Sequence, residues 1–218
     1  MSTAARSYPT FDPSCRICPR LAQFLDEVRI ARPEYHAAPV PAFGATRPSL
    51  LIVGLAPGLH GANRTGRPFT GDHAGILLYR TLHRFGFASA PQSVSGSDSL
   101  RLGHCRVTNA VKCLPPKNKP DGAEVLACNR YLTAEVQAVK AGGAILALGG
   151  IAHRATLMAF SLERSVHRFA HGARHPLPQG RILFDSYHCS RYNTQTKRLT
   201  EAMFVSVFEA IANHLDRA

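Results

Sequence analysis

Four short segments, Leu50-Leu-Ile-Val-Gly-Leu55, Arg106-Val-Thr-Asn-Ala-Val111, Ala144-Ile-Leu-Ala-Leu148 and Arg181-Ile-Leu-Phe184, are each divided from the next by a stretch long enough to hold a helix. Short, nearly continuous apolar runs suit strands buried on both faces, and helix-length connections suit parallel pairing. This alternation restricts the chain to an α/β fold, a parallel sheet with helices on both faces. Helices are expected from Cys15 to Ile30, Ala74 to Phe85, Asp121 to about Lys140, Ile151 to Phe160 and Thr200 to Leu215. Asp121 and Glu124 form a capping box at the start of the third. With 218 residues and 45% hydrophobic content there is material for one sizeable core. Without repeats or a linker, a single domain over residues 1–218 is expected.

No apolar stretch reaches the roughly 18 residues that span a bilayer. The opening MSTAARSYPTFDP also lacks the apolar centre of a leader. A cytoplasmic protein is expected, in a compartment where clustered cysteines more often bind metal or do chemistry than form disulfides. Lysine and arginine total 26 against 14 acidic residues, a formal charge of +12. That excess is either an inert basic surface or the footprint of a polyanion, whose condensed counterions are released on binding. Basic residues recur in loop-like stretches, at Arg64, Arg67, Lys112, Lys117, Lys119, Arg191, Lys197 and Arg198. Their placement favours the footprint, concentrated at one working edge.

In open parallel sheets the functional loops lie beyond the carboxyl ends of the strands. Three unusual segments follow strands here: Gly54 to Gly75, Lys112 to Pro120 and His188 to Thr200. The first carries six glycines and two prolines, which fix a tight path and let backbone approach a ligand. It lacks the Gly-Lys-Ser/Thr of a phosphate loop and the Gly-x-Gly-x-x-Gly of a dinucleotide site. Phe69 and Asp72 suit holding a flat base while activating water, or else a core aromatic and a helix N-cap. In the second segment Asn118 has an amide able to read a base edge, although a turn residue is the plainer reading. In the third, His188 is a potential acid or donor, and Tyr192 a potential wedge. Neighbours on extended backbone point to opposite faces, which excludes a His188–Cys189 dyad. Most of the other ten histidines are expected on the surface or in loops.

Cys15 and Cys18 form a C-x2-C pair, and Cys113 and Cys128 have fourteen residues between them. Cys105 and Cys189 read as buried strand thiols. On spacing alone the first four are compatible with zinc, with an iron–sulfur cluster, or with no metal.

Three motifs carry a resemblance. Gly-Leu-Ala-Pro-Gly-x-His-Gly-x-Asn-Arg-Thr-Gly-Arg-Pro-Phe-Thr-Gly-Asp, ending at Asp72, is followed by Cys-x-Pro-Pro-Lys-Asn-Lys-Pro, and then by His-x-Ser-Arg-x-Asn-Thr-Gln-Thr-x-Arg-Leu-Thr. Together they resemble family 5 of the uracil-DNA glycosylases (type-5, UDGb), over nearly the whole chain from Cys15 to about Phe204. The resemblance implies a three-layer α/β/α sandwich with a central four-stranded parallel sheet. It implies a 4Fe–4S cluster on Cys15, Cys18, Cys113 and Cys128, of structural use. The activity implied is hydrolysis of the N-glycosidic bond of uracil, and of other deaminated bases such as hypoxanthine and xanthine, in mainly double-stranded DNA. Asp72 would direct water and His188 would donate to the leaving base, with Ala56, Phe69 and Asn118 forming the base pocket. Arg64, Lys117, Ser190, Arg191 and Asn193 would contact DNA, the protein acting as a monomer. Ala56 stands where other branches place a polar side chain. Leu59 and Lys197 stand where alanine and glycine are expected. The rival reading is a catalytically idle, lesion-binding iron–sulfur protein. An iron–sulfur redox protein is disfavoured by the glycine loop, and a zinc deaminase by the missing His-x-Glu and Pro-Cys-x-x-Cys.

Overall fold

A computed structural model describes residues 10–217. The leader-free reading of the N-terminus falls largely on residues 1–9, outside the described residues. In chain order the elements are α1 (Pro19–Ala31), β1 (Phe43–Gly44), β2 (Leu50–Gly54), α2 (Ala62–Thr65), α3 (His73–Arg84), β3 (Cys105–Asn109) and α4 (Gly122–Gln137). There follow β4 (Ala144–Leu148), α5 (Gly150–Ala159), β5 (Arg174–Pro176), β6 (Ile182–Ser186), α6 (Arg191–Gln195) and α7 (Glu201–Leu215). No described helix is long and apolar enough to cross a membrane.

The strands form one sheet in the order β1-β3-β2-β4-β6-β5. Its four central strands are parallel, as expected, with Ile52 opposite both Val107 and Leu146, and Leu146 opposite Phe184. Two short antiparallel strands, β1 and β5, extend the edges. Neither was legible as a strand, because two or three residues are too few to show a period.

Alternation along the central strands builds the two outer layers. Leu50, Ile52, Leu146 and Phe184 join one core with Leu78, Leu82, Phe204 and Phe208 of α3 and α7. Leu51, Val53, Ile145 and Leu183 join the other with Leu132, Val136 and Leu157 of α4 and α5. Each fully buried leucine or isoleucine contributes about 1.5–3 kcal/mol, so a charge at Ile52 or Leu146 would break a layer. Helix α4 starts where its capping box predicts, whereas α1 begins at Pro19, later than the expected Cys15. Asp121 and Glu124 make the expected reciprocal box on α4, and Thr200 accepts from Met203 N at the head of α7.

Two of the basic loop residues do not face a partner. Arg67 is 6% exposed and forms an ion pair with Asp98, its guanidinium lying 4.3 Å from the Phe43 ring centroid. Lys112 is 1% exposed and bonds Glu135 at 2.7 Å as well as the Thr108 hydroxyl. Both charges hold the fold together, and the working-edge reading of them is corrected. Arg64, Lys117, Lys119, Arg191, Lys197 and Arg198 are exposed.

Candidate active site

The carboxyl ends of the four parallel strands surround one cavity of about 470 Å³, within the usual range of about 300–1,000 Å³ for small-molecule sites. Leu55, Ala56 and Gly58 enter from the loop after β2, Asn109 from the end of β3, Leu148 and Gly149 from β4, and His188 from the chain after β6. Phe69 and Asp72 come from the glycine loop, Asn118 from the turn after β3, and Ser190 and Arg191 from the head of α6. The loop segments are thus brought together by strand direction, as chain order alone predicts.

Asp72 is a helix cap and a cavity carboxylate at once. Its Oδ1 accepts from Gly75 N at 2.9 Å, capping α3. Its Oδ2 lies toward Gly58 and Gly61, and a Cβ at Gly61 would collide with it. Burial raises the Asp72 pKa, against the backbone N–H groups of Gly75 and Ala74 that lower it. The two readings of this residue are therefore not alternatives.

Phe69 is buried with φ 54°, a left-handed conformation that costs a bulky residue about 1–3 kcal/mol. Glycine makes room for it on two sides. A Cβ at Gly54 would strike its ring, and one at Gly75 would strike its carbonyl oxygen. The ring stacks on His188, 5.9 Å between centroids and 27° between planes. Burial pushes the His188 imidazole down to about 4, so the ring is neutral at physiological pH. Asn193 donates from Nδ2 to the His188 carbonyl at 2.8 Å and Ser190 caps α6 through Asn193 N, so both also position the His188 backbone. His73 bonds Thr194 at 3.0 Å and ties the start of α3 to α6.

Asn118 and Lys117 both have φ 54° in an exposed turn; Asn118 lines the mouth of the cavity and Lys117 lies outside it. Arg64 and Asn193 also lie outside the lining, with Arg64 exposed and donating to the His60 carbonyl at 2.8 Å. Sequence reasoning missed Asn109, which is 4% exposed and reaches the cavity beside Gly54. The available signal was a polar residue at the carboxyl end of an otherwise apolar buried strand.

Away from this cavity, Cys15, Cys18, Cys113 and Cys128 line one small pocket, and none is in a disulfide. Burial, then the neighbouring thiols, pushes Cys113 up to about 12. Lys112 N donates to Cys128 Sγ at 3.3 Å. The Tyr131 hydroxyl lines the same pocket, buried and without a partner among the described residues. Four thiols, an amide aimed at sulfur and an orphaned hydroxyl fit a sulfur-rich group. Among the described residues no three of these thiols meet within 4.8 Å, which is looser than the roughly 3.8 Å that Zn–S bonds of about 2.3 Å impose between ligands of one ion. Cys105 and Cys189 are fully buried elsewhere, as expected, but only Cys105 is on a strand, Cys189 lying beyond the end of β6.

The chain belongs to the uracil DNA glycosylase superfamily, whose family model matches residues 41–212. The type-5 uracil-DNA glycosylase of Thermus thermophilus is 51% identical over 199 residues, 89% of this chain and 90% of the relative. That of Mycobacterium tuberculosis is 44% identical, covering 89% and 75%, and that of Pyrobaculum aerophilum 38%, covering 91% and 88%. Within the superfamily the chain is of the type-5 branch.

Proposed function

We propose that this enzyme hydrolyses the N-glycosidic bond of uracil, and of hypoxanthine and xanthine, in double-stranded DNA. The observation that carries the reading is the joint presence in one cavity of the free edge of Asp72, the stacked Phe69–His188 pair and the Asn109 amide. The bond is out of reach inside a duplex, so the nucleotide is extruded into the cavity. Exposed Arg64, Lys117 and Arg191, with Ser190 and Asn193, hold the backbone. Phe69 supplies a flat apolar face, while Asn109 at the floor and Asn118 at the mouth bond the base edge.

As the C1′–N bond breaks, its electron pair passes to the base. Neutral His188 donates a hydrogen bond to the developing oxyanion, where a preorganised donor is most effective. Asp72 Oδ2 orients a water toward C1′ and takes its proton as the new C–O bond forms. The raised pKa of Asp72 suits that step. Ala56 leaves one wall without a polar group, so an ill-matched base strands fewer buried donors and acceptors. Cys15, Cys18, Cys113 and Cys128 would hold a 4Fe–4S cluster, which when bound cross-links the N-terminal segment to the sheet.

The test is a time course on U·G, hypoxanthine·T, xanthine·C and A·T duplexes, followed by alkaline cleavage. Release from the first three and none from the last is expected. Binding without release would favour the idle lesion binder, and release of uracil alone would refute the permissive pocket. Metal analysis should give about four irons per chain, as for a cubane on four thiolates, whereas zinc without iron would overturn the cluster.

A further inference from the structure

Three buried residues that the glycosidic chemistry does not use meet between α5, β5 and β6. His153, His175 and Asp185 are 2%, 8% and 0% exposed, the two histidines being exceptions to the expectation that most histidines lie on the surface or in loops. One donor atom from each lies within 4.8 Å of the other two. His153 Nδ1 is 2.8 Å from Asp185 Oδ1, and His175 Nε2 is 3.0 Å from Oδ2.

The tautomers are set by backbone. Nε2 of His153 lies 2.8 Å from the His167 carbonyl oxygen. A carbonyl only accepts, so Nε2 carries the ring proton. In the neutral ring Nδ1 is then a lone pair aimed at a buried carboxylate oxygen, and two acceptors face one another. A cation between them resolves the conflict. Metal-bound histidines have this arrangement, with the remote nitrogen donating to a carbonyl.

We infer that His153, His175 and Asp185 form a three-ligand zinc site, separate from both the base cavity and the four cysteines. Two imidazoles with one carboxylate are a donor set suited to Zn²⁺. Its place suggests its use. Asp185 stands three residues before His188 on the same chain segment, and α5 begins with the cavity-lining Gly150 and Ile151. The ion clamps the connection bearing His167 and His175 to the sheet end that presents His188.

The experiment uses full-length protein whose iron and sulfide have been quantified. It is treated with EDTA, titrated with zinc sulfate against a chromophoric chelator, and examined by zinc K-edge absorption. We expect one zinc per chain, a nitrogen and oxygen shell at about 2.0–2.2 Å, and a thermal midpoint that rises with free zinc. His175→Gln should abolish uptake, while Cys113→Ser should retain it. Lack of uptake at micromolar free zinc would show that a proton fills the place and overturn the site, as would a sulfur shell at about 2.3 Å. Should His175→Gln fail to fold, the absorption spectrum of the wild-type protein alone decides between these outcomes.

Discussion

Phe69 and His188 stack on one another although they belong to loops following different strands, with 5.9 Å between ring centroids. In the proposed reaction the face that would receive a base and the donor that would meet its oxygen are therefore one packed unit. Asp72 lies three residues from Phe69 and shares its glycine-built surroundings, since Gly61 leaves space for the carboxylate and Gly54 for the ring.

Asp72→Asn separates the two tasks of that residue. Asparagine caps helices about as well as aspartate, so the thermal midpoint should hardly move. Single-turnover base release should fall at least roughly 100-fold, the lower range for a positioned general base. A rate near wild type in a folded variant would leave Asp72 as a cap alone.

The two asparagines should differ in kind. Losing a bidentate amide contact to a base costs about 1–3 kcal/mol, or roughly tenfold to 100-fold in rate. Asn109→Ala should show that loss and change the ranking of uracil against hypoxanthine. Asn118→Ala, at the exposed mouth, should lower release with less effect on the ranking. Equal rankings in both variants would remove the amides from base reading.

The depressed pKa of His188 has a consequence for stability. The folded value is about 4, against an ordinary value of 6.5. As pH falls, the unfolded chain binds this proton first, so the contribution is fully present above about 6.5 and is lost as pH falls toward about 4. Denaturant melts between these limits should show a slope that His188→Gln flattens. An unchanged slope would mean that His188 already titrates normally in the folded protein.

Salt dependence distinguishes surface charge from structural charge. Arg191→Ala should reduce the log–log salt slope for undamaged duplex by about one. Arg67→Ala and Lys112→Ala should instead lower the thermal midpoint, because the first removes the charged partner of half-buried Asp98 and the second leaves buried Glu135 without its cation. A midpoint unmoved in both would contradict the ion pairs with Asp98 and Glu135.

Lys197, where the resemblance leads one to expect glycine, has φ 56° just beyond α6. Left-handed backbone costs a non-glycine residue about 1–2 kcal/mol, and glycine is the usual residue at this position. Lys197→Gly should therefore raise stability by about 1 kcal/mol in a denaturant melt. Loss of stability would show that the lysine side chain makes a compensating contact.

Local chemistry made much of this protein legible from its residues in order. Apolar runs marked the four parallel strands, the Asp121–Glu124 capping box marked a helix start, and strand direction placed Gly54 to Gly75, Asn118 and His188 at one edge. Those signals work because periodicity, capping and turn chemistry act over a few residues. What only the tertiary structure decided were partnerships across 23 to 32 residues or between isolated polar groups. Arg67 and Lys112 read as surface charges until Asp98 and Glu135 were found beside them. Asn109 read as an ordinary strand residue until the cavity opened beside it, and His153 had no assigned partner until Asp185 lay 2.8 Å away. A buried polar side chain has no local signature, because its environment is set by which elements pack together, and that choice is made by the whole core at once.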